Sequence, residues 1–356
     1  MLRIAGVKAF VLAAGFGERL RPITESVPKP LLPVGNLPLI GYALKLCQKH
    51  GITDVIVNLH YLGKVIKERL GDGHEFGVTL TYSEEEEILG TGGGLKKMDA
   101  ALAGETFVVL NSDTIIDLDL KAVIASHRKR RALATLVLRA DARQGEFGQI
   151  EVDAGGRVRR ILGHGEARGR LTPYMFAGVH VAEPRLLEYV PPDVNTCIMR
   201  YGYTKALDNG EPIYGVVADG YWNDAGTPER YLEANRDALS QKMKLKHADP
   251  LAGYAVGPKR AVADVVRMGT DVHLGDAVEI VAPVLMGDDC KVGDRAVVGP
   301  YCVLAARAQI GKEARVSSAV LLEGAKVEAG ERLDRVIVGK KATLTAATPA
   351  PASERA

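Results

Sequence analysis

Aromatic residues are scarce in this chain. Phe, Tyr and Trp make up 5% of its 356 residues and Trp occurs once, which excludes a core built chiefly around large rings and leaves the packing to aliphatic and small side chains. Paired cysteines are missing as well. Cys47, Cys197, Cys290 and Cys302 lie far apart, without the short spacings of a zinc site and without a disulfide framework. No run approaches the roughly 18 uncharged apolar residues of a membrane span. The apolar stretch near the start leads into Gly-Phe-Gly-Glu-Arg and not into a small-residue cleavage site, so it reads as a buried strand. Neither charge dominates: 46 Lys and Arg stand against 44 Asp and Glu, and a net charge of +2 supplies no field for nucleic acid or a membrane surface. These absences point to a soluble, cytoplasmic protein. What is abundant is glycine, 39 residues in an otherwise ordinary composition of 47% hydrophobic and 25% charged residues. The length allows two domains of roughly 150 residues each.

Up to about Ser240, β-rich runs alternate with helical patterns. Val7 to Ala13, Asp54 to Asn58, Thr79 to Tyr82, Thr106 to Leu110 and Leu133 to Leu138 read as strands, with helices such as Pro38 to His50 and Lys64 to Leu70 between them. The alternation predicts α/β architecture: βαβ units in a Rossmann-like, mostly parallel sheet with helices on both faces. Ligands of such sheets bind beyond the carboxyl ends of the strands.

After a helix predicted over Tyr231 to Lys246 the character changes. Apolar residues recur at every sixth position: Leu274, Ile280, Met286, Val292, Val298, Leu304, Ile310 and Val316. Gly follows five of them, at Gly275, Gly287, Gly293, Gly299 and Gly311. A small or β-branched residue stands four places after each, as at Cys290, Ala296, Cys302 and Ala308. This is the hexapeptide pattern of a left-handed parallel β-helix, each six residues forming one short face with the apolar residue inward and a turn that favours Gly. The irregular steps after Val316 read as a terminal cap. The division expected is a catalytic domain over 1–246, a linker over 247–271, the β-helix over 272–341 and a disordered tail over 342–356. Homo-oligomerisation through the β-helix is expected, since a stacked coil ends in unpaired backbone edges.

Two motifs follow the first strand closely. Leu12-Ala13-Ala14-Gly15-Phe16-Gly17-Glu18-Arg19-Leu20-Arg21-Pro22 places glycines where backbone N–H groups can approach phosphate oxygens, with an Arg to bind them. Leu20 stands where GxGxxG requires a third Gly, and no Gly-Lys-Ser/Thr is present, so neither a dinucleotide fingerprint nor a Walker loop fits. A purely structural glycine turn remains the alternative. Val27-Pro28-Lys29-Pro30-Leu31-Leu32-Pro33-Val34 comes next.

Together these two segments resemble the sugar-1-phosphate nucleotidyltransferases. The resemblance continues in order through Leu89-Gly90-Thr91-Gly92-Gly93-Gly94, Asn111-Ser112-Asp113, Phe147-Gly148, Ala177-Gly178 and Trp222-Asn223-Asp224-Ala225-Gly226-Thr227-Pro228, and it includes the appended β-helix. It is closest to the mannose-1-phosphate guanylyltransferase pattern. It implies the nucleotidyltransferase fold and in-line attack of a sugar 1-phosphate oxygen on the α-phosphorus of a nucleoside triphosphate, with release of pyrophosphate. Two polyanions must meet, so positioning and charge neutralisation carry the catalysis. By resemblance Asp113 and Asp224 hold Mg²⁺, and Arg19 and Lys29 neutralise the triphosphate. Leu12, Ala13, Ala14, Gly15, Gly17, Glu85, Gly90, Thr91 and Asn111 line the nucleotide, while Gly148, Gly178 and His164 serve the sugar phosphate.

Glu85, five residues before Gly90, stands where members that take uracil or thymine typically have Gln. A carboxylate only accepts hydrogen bonds, and guanine offers two adjacent donors, so Glu85 favours GTP. The alternative is that Glu84 to Glu87 form a solvated charge run. Departures from the family are Glu18 for Thr or Ser, Phe147 for Tyr, and Arg159 to His164 where Glu-Lys-Pro is common. No Lys is present there, and Arg160, His164, Arg168 and Lys205 are the candidates to replace it. A glucose or other hexose 1-phosphate uridylyl- or thymidylyltransferase, and a non-catalytic nucleotide-sugar-binding regulatory subunit, are the alternatives. An acyltransferase in the β-helix would rest on His273 alone, which lacks a second polar partner.

Overall fold

The computed structural model describes residues 6–141, 149–166, 169–256 and 265–347. Two compact units result: Met1–Phe16 with Ile40–Trp222, and Gly17–Leu39 with Asn223–Ala356.

The first unit is organised by a ten-stranded sheet. Its elements are β1 (Val7–Leu12), α1 (Leu39–Lys49, whose first residue belongs to the second unit), β2 (Asp54–Leu59), α2 (Gly63–Leu70), β3 (Thr79–Glu84), α3 (Gly90–Lys97), β4 (Thr106–Asn111), α4 (Leu120–Lys129), β5 (Ala134–Arg139), β6 (Gln149–Val152), β7 (Val158–Ile161), β8 (His164–Gly165), β9 (Thr172–Ala182) and β10 (Ile213–Val217). The strand order is β8-β7-β6-β9-β4-β1-β2-β3, with β5 pairing β9 and β10. Strands β3, β2, β1 and β4 are parallel, with Ala9 beside both Val55 and Val108. Phe10, Val11, Val55, Val57, Phe107 and Val109 are all buried, because in a parallel sheet covered on both faces consecutive side chains must be apolar. The other half departs from the parallel expectation. Strand β9 runs antiparallel to β4, β5 and β6, and β6, β7 and β8 follow one another as hairpins whose connections are too short for a parallel crossover.

In the second unit the coils stack in parallel, Val284 beside Cys302 and His273 beside Lys291. Neighbouring coils meet at a separation of 18 residues, three hexapeptides per turn. Val284, Met286, Cys290, Val292, Ala296, Val298, Cys302 and Leu304 form the interior, and burial pushes the Cys302 thiol up to about 12. Two expectations are corrected here. The irregularity after Val316 is not a cap: Val303 pairs Val320 and Ile337 follows on Val320, a coil one residue shorter, seen also in the 17-residue reach from Ser317 to Asp334. The stack therefore continues through it. Nor do most of the repeat glycines serve a left-handed turn, since that conformation falls to Asp289, Arg295, Arg307 and Glu313. A Cβ on Gly293 would lie 2.7 Å from the Lys312 backbone nitrogen, so Gly is required there by the close approach of the next coil.

The boundaries also shift. Val266–Met268 already pairs Val284–Met286, which brings part of the expected linker into the β-helix, while residues 257–264 lie outside the described ones. Within the expected tail, Thr343–Thr345 forms a strand antiparallel to Val336–Val338, and residues 348–356 lie outside the described ones. The helix expected over Tyr231 to Lys246 is α5 (Pro228–Leu239). Thr227 caps its start, accepting from the Arg230 N–H, with Pro228 in the first turn. Left-handed Gln241, just past the end, stops it. Among the described residues no helix is long and apolar enough to cross a membrane.

Candidate active site

Within the first unit, the candidate residues gather at the carboxyl ends of β1, β2 and β4. Beyond β1, Ala13 and Ala14 are buried and the Ala13 N–H donates to Asn58 Oδ1 at 2.8 Å. Asn58 Nδ2 in turn donates to Glu85 Oε1 at 2.7 Å, and Glu85 Oε2 accepts from the Leu89 N–H at 2.9 Å. One relay of hydrogen bonds thus joins the loop after β1, the end of β2 and the start of α3. Glu85 is 5% exposed while Glu84, Glu86 and Glu87 stand in solvent, so the charge run is solvated except at this position. Each carboxylate oxygen keeps acceptor capacity beyond its one protein donor.

Gly15 is exposed, its φ is not left-handed and a Cβ there would meet nothing within 4 Å. The fold itself does not require glycine at this point, which fits a place kept open for a ligand. Gly92, Gly93 and Gly94 of the Leu89 to Gly94 motif lie inside the protein. They are buried in α3, where Cβ atoms would collide with Thr196, with the Val194 carbonyl at 2.4 Å and with Glu85 Oε1 at 2.7 Å. Their cause is close packing within the protein. Thr91 Oγ1 accepts from the Ile198 N–H, and Gly90 has φ +68° with Thr196 against it.

Asn111 ends β4, Ser112 donates its N–H to the Leu12 carbonyl, and Asp113 follows half-buried. Gly178, in β9, has φ +80° and leaves no room for a Cβ beside Thr114 Oγ1 and Asn111 Nδ2. Gly178 therefore shapes the wall next to Asn111.

Arg19, Lys29 and Asp224 are brought together in the second unit. Gly17 has φ +68° and a Cβ on it would lie 3.1 Å from Lys29 Cβ, so the Arg19 turn and the Lys29 turn touch there. Thr24 Oγ1 donates to the Gly17 carbonyl and fixes the contact. A Cβ on Gly226 would sit 2.7 Å from Arg19 Nη2 and 2.9 Å from Asp224 Oδ2, so guanidinium and carboxylate flank one point. Asp224 is 8% exposed, with Arg230 Nε 2.6 Å from its Oδ1. The loop is held from α5: the Tyr231 hydroxyl donates to the Pro33 carbonyl at 2.6 Å, and buried Asn235 accepts the Gly35 N–H at 3.1 Å.

The sugar-phosphate candidates are not gathered in this way. His164 lies on the edge strand β8, exposed and 2.7 Å from Asp208, four strands from β4 and so roughly 20 Å across the sheet. Arg160 pairs with Glu151 at 3.0 Å, and Lys205 Nζ donates to the Tyr201 hydroxyl at 3.1 Å. Phe147, Gly148 and Arg168 lie outside the described residues. His273 is exposed, its Nδ1 2.9 Å from the carbonyl of Asp271 two residues before it. Sequence reasoning missed Asn58 and Arg230. A polar residue closing the apolar run Asp54–Leu59, and a base in the first turn after Thr-Pro, were the available signals.

Among the described residues no three His, Cys, Asp or Glu side chains converge on a metal position. Asp113 in the first unit and Asp224 in the second each offer carboxylate oxygens, the hard donors that a divalent ion takes. Asp224, buried and already facing a cation at Oδ1, is a place built for positive charge.

A sheet with an open glycine loop and a buried hydrogen-bond relay at its strand ends, and a β-helix in the same chain, define an enzyme that handles nucleotides. A family model described as nucleotidyl transferase matches residues 8–241, and one described as GMPPB C-terminal domain matches residues 280–348. The chain belongs to the nucleotidyl transferase family. A UTP–glucose-1-phosphate uridylyltransferase of Synechocystis is 30% identical over 94% of this chain and 88% of its own length. A mannose-1-phosphate guanylyltransferase of Mycobacterium tuberculosis is 32% identical, over 77% of this chain and 78% of its own. A crystal structure of a putative glucose-1-phosphate thymidylyltransferase from Bacillus anthracis shares the fold, with TM-score 0.58 at 24% identity over 69% of this chain and 98% of that one. Enzymes of this family generally use divalent metal ions.

Proposed function

We propose that the protein transfers the guanylyl group of GTP to mannose 1-phosphate, with Mg²⁺, giving a nucleotide sugar and pyrophosphate. The observation that carries the base is Glu85, an acceptor-only side chain held inside the wall and tied through Asn58 to the loop after β1. Its remaining lone pairs suit the paired donors of guanine. The C-terminal match and the guanylyltransferase relative support the same reading.

Arg19 and Lys29 neutralise the triphosphate and hold the α-phosphorus in line with the attacking sugar phosphate oxygen. Asp113 and Asp224 would hold Mg²⁺, which when bound supplies charge neutralisation across the phosphates. Oligomerisation through the β-helix belongs to the same proposal, and light scattering on the purified protein would read its stoichiometry.

UTP and glucose 1-phosphate form the second reading, favoured by the Synechocystis relative that spans nearly the whole chain. A panel of four triphosphates against mannose, glucose and N-acetylated sugar 1-phosphates, read by pyrophosphate release, separates the two. The highest kcat/KM with GTP and mannose 1-phosphate is expected. Preference for UTP overturns the base assignment. Tight binding of a finished nucleotide sugar without any turnover indicates a regulatory subunit.

A further inference from the structure

Asp224 presents a conflict that its neighbours resolve. The residue is 8% exposed, and a charge so placed needs a compensating group. That group is Arg230, whose Nε lies 2.6 Å from Oδ1 with the two side chains 15% and 11% exposed. Arg230 does not reach Asp224 by chance of a flexible chain. Its backbone N–H is bonded to the Thr227 side chain that caps α5, and Pro228 presets the turn between, so the Thr-Pro pair aims the guanidinium back at the carboxylate. On the other side, Arg19 and Asp224 Oδ2 flank Gly226.

A divalent ion on Asp224 would compete with Arg230 for the same buried oxygen. Resting on the metal assignment above, we propose that Arg230 is the resident counter-ion of Asp224: it neutralises the carboxylate in the metal-free enzyme and must be displaced before the metal–triphosphate binds. Arg230 is thus a positioning residue that sets metal affinity. The pair holds the Asp224 carboxylate in place without metal, and makes the site weak for free cations. A triphosphate that brings its own charge to the metal shifts the exchange in favour of the loaded state.

The test is Mn²⁺ binding followed by electron paramagnetic resonance, with the uncleavable α,β-methylene analogues of GTP and UTP in separate arms, beside thermal unfolding of the metal-free protein. Arg230→Met is expected to tighten Mn²⁺ by about tenfold or more, because the competing cation is gone. The same variant is expected to lower the metal-free melting temperature, with Mn²⁺ restoring it. Arg230→Lys keeps the charge and is expected to melt close to the native protein. Unchanged or weaker Mn²⁺ binding in Arg230→Met, or no Mn²⁺ binding beyond that of the analogue alone in any form, overturns the proposal. Asp224→Asn separates the two levels of failure: if that variant binds Mn²⁺ as tightly as the native protein, the metal assignment is wrong, whatever Arg230 does.

Discussion

Replacing Gly226 by Ala separates the site from the fold. The added Cβ would meet Arg19 Nη2 at 2.7 Å and Asp224 Oδ2 at 2.9 Å, against the 3.4–4 Å of ordinary contact. Both are tips of side chains and the Gly226 φ is not left-handed, so the backbone has no cause to move. Stability should change by less than about 1 kcal/mol, the range of substitutions that neither strain the backbone nor open a cavity. The two tips, however, must retreat by about 1 Å, and a displacement of that size costs roughly 100-fold in turnover when the group acts in the transition state. The assay pairs steady-state pyrophosphate release with a urea melt of the same preparation. Gly293→Ala is the contrasting control. Its Cβ meets backbone of the next coil at 2.7 Å, and the overpacking is expected to cost about 1–3 kcal/mol. Near-native turnover in Gly226→Ala would refute the reasoning, since Arg19 and Asp224 would then be poised for nothing that the reaction needs.

Glu85→Gln replaces an acceptor by a group that also donates, and kcat/KM for GTP relative to UTP should fall between about tenfold and a hundredfold, the weight of one charged hydrogen bond. An unchanged ratio removes Glu85 from base selection. Asn235→Ala frees the Gly35 N–H, loosening the loop of Arg19 and Lys29 from α5. The KM for triphosphate should rise several-fold, and unaltered kinetics would show that the clamp is dispensable. Acid stability offers a further check. Burial pushes the His180 imidazole down to about 3, from an ordinary 6.5, with Tyr203 beside it. The folded protein keeps it neutral while the unfolded chain takes up a proton, so stability is intact above pH 6.5 and falls as pH drops from 6.5 towards 3. The slope is at most about 1.4 kcal/mol per pH unit from this group. His180→Gln should flatten melts across that window, and an equal acid slope in the variant would contradict the assignment.

The parts of the fold with a strong period were legible in the sequence. Strands β1, β2 and β4 hold buried apolar runs and β3 is a more polar, largely exposed strand; all four end where expected within a residue or two, and the hexapeptide step located the coils. What misled was glycine, because one letter covers two causes. In the repeats and in α3 it marks close backbone approach to protein, at Gly293 and Gly93, and among the described residues only Gly15 is left open without a structural reason. The antiparallel half of the sheet escaped notice because β6 to β8 are short and lie far apart from the strong pattern. Among the candidate residues, Asp224 is named by its motif and Arg230 is not, since a helix-start arginine carries no period and its meaning comes from where the Thr-Pro cap turns it. The sugar side stayed dark for a related reason: His164 and Arg160 are bound into local pairs, and no spacing reveals that.

The central claim is transfer of a nucleotidyl group between two phosphates, and the most direct measurement follows the α-phosphorus. Incubation with GTP labelled at that atom, mannose 1-phosphate and Mg²⁺ should place the label in the nucleotide sugar with one pyrophosphate released per transfer. Asp113→Asn and Asp224→Asn, still folded, should leave it in GTP. Label appearing only as free GMP, or no turnover with any triphosphate and sugar 1-phosphate, would contradict the account.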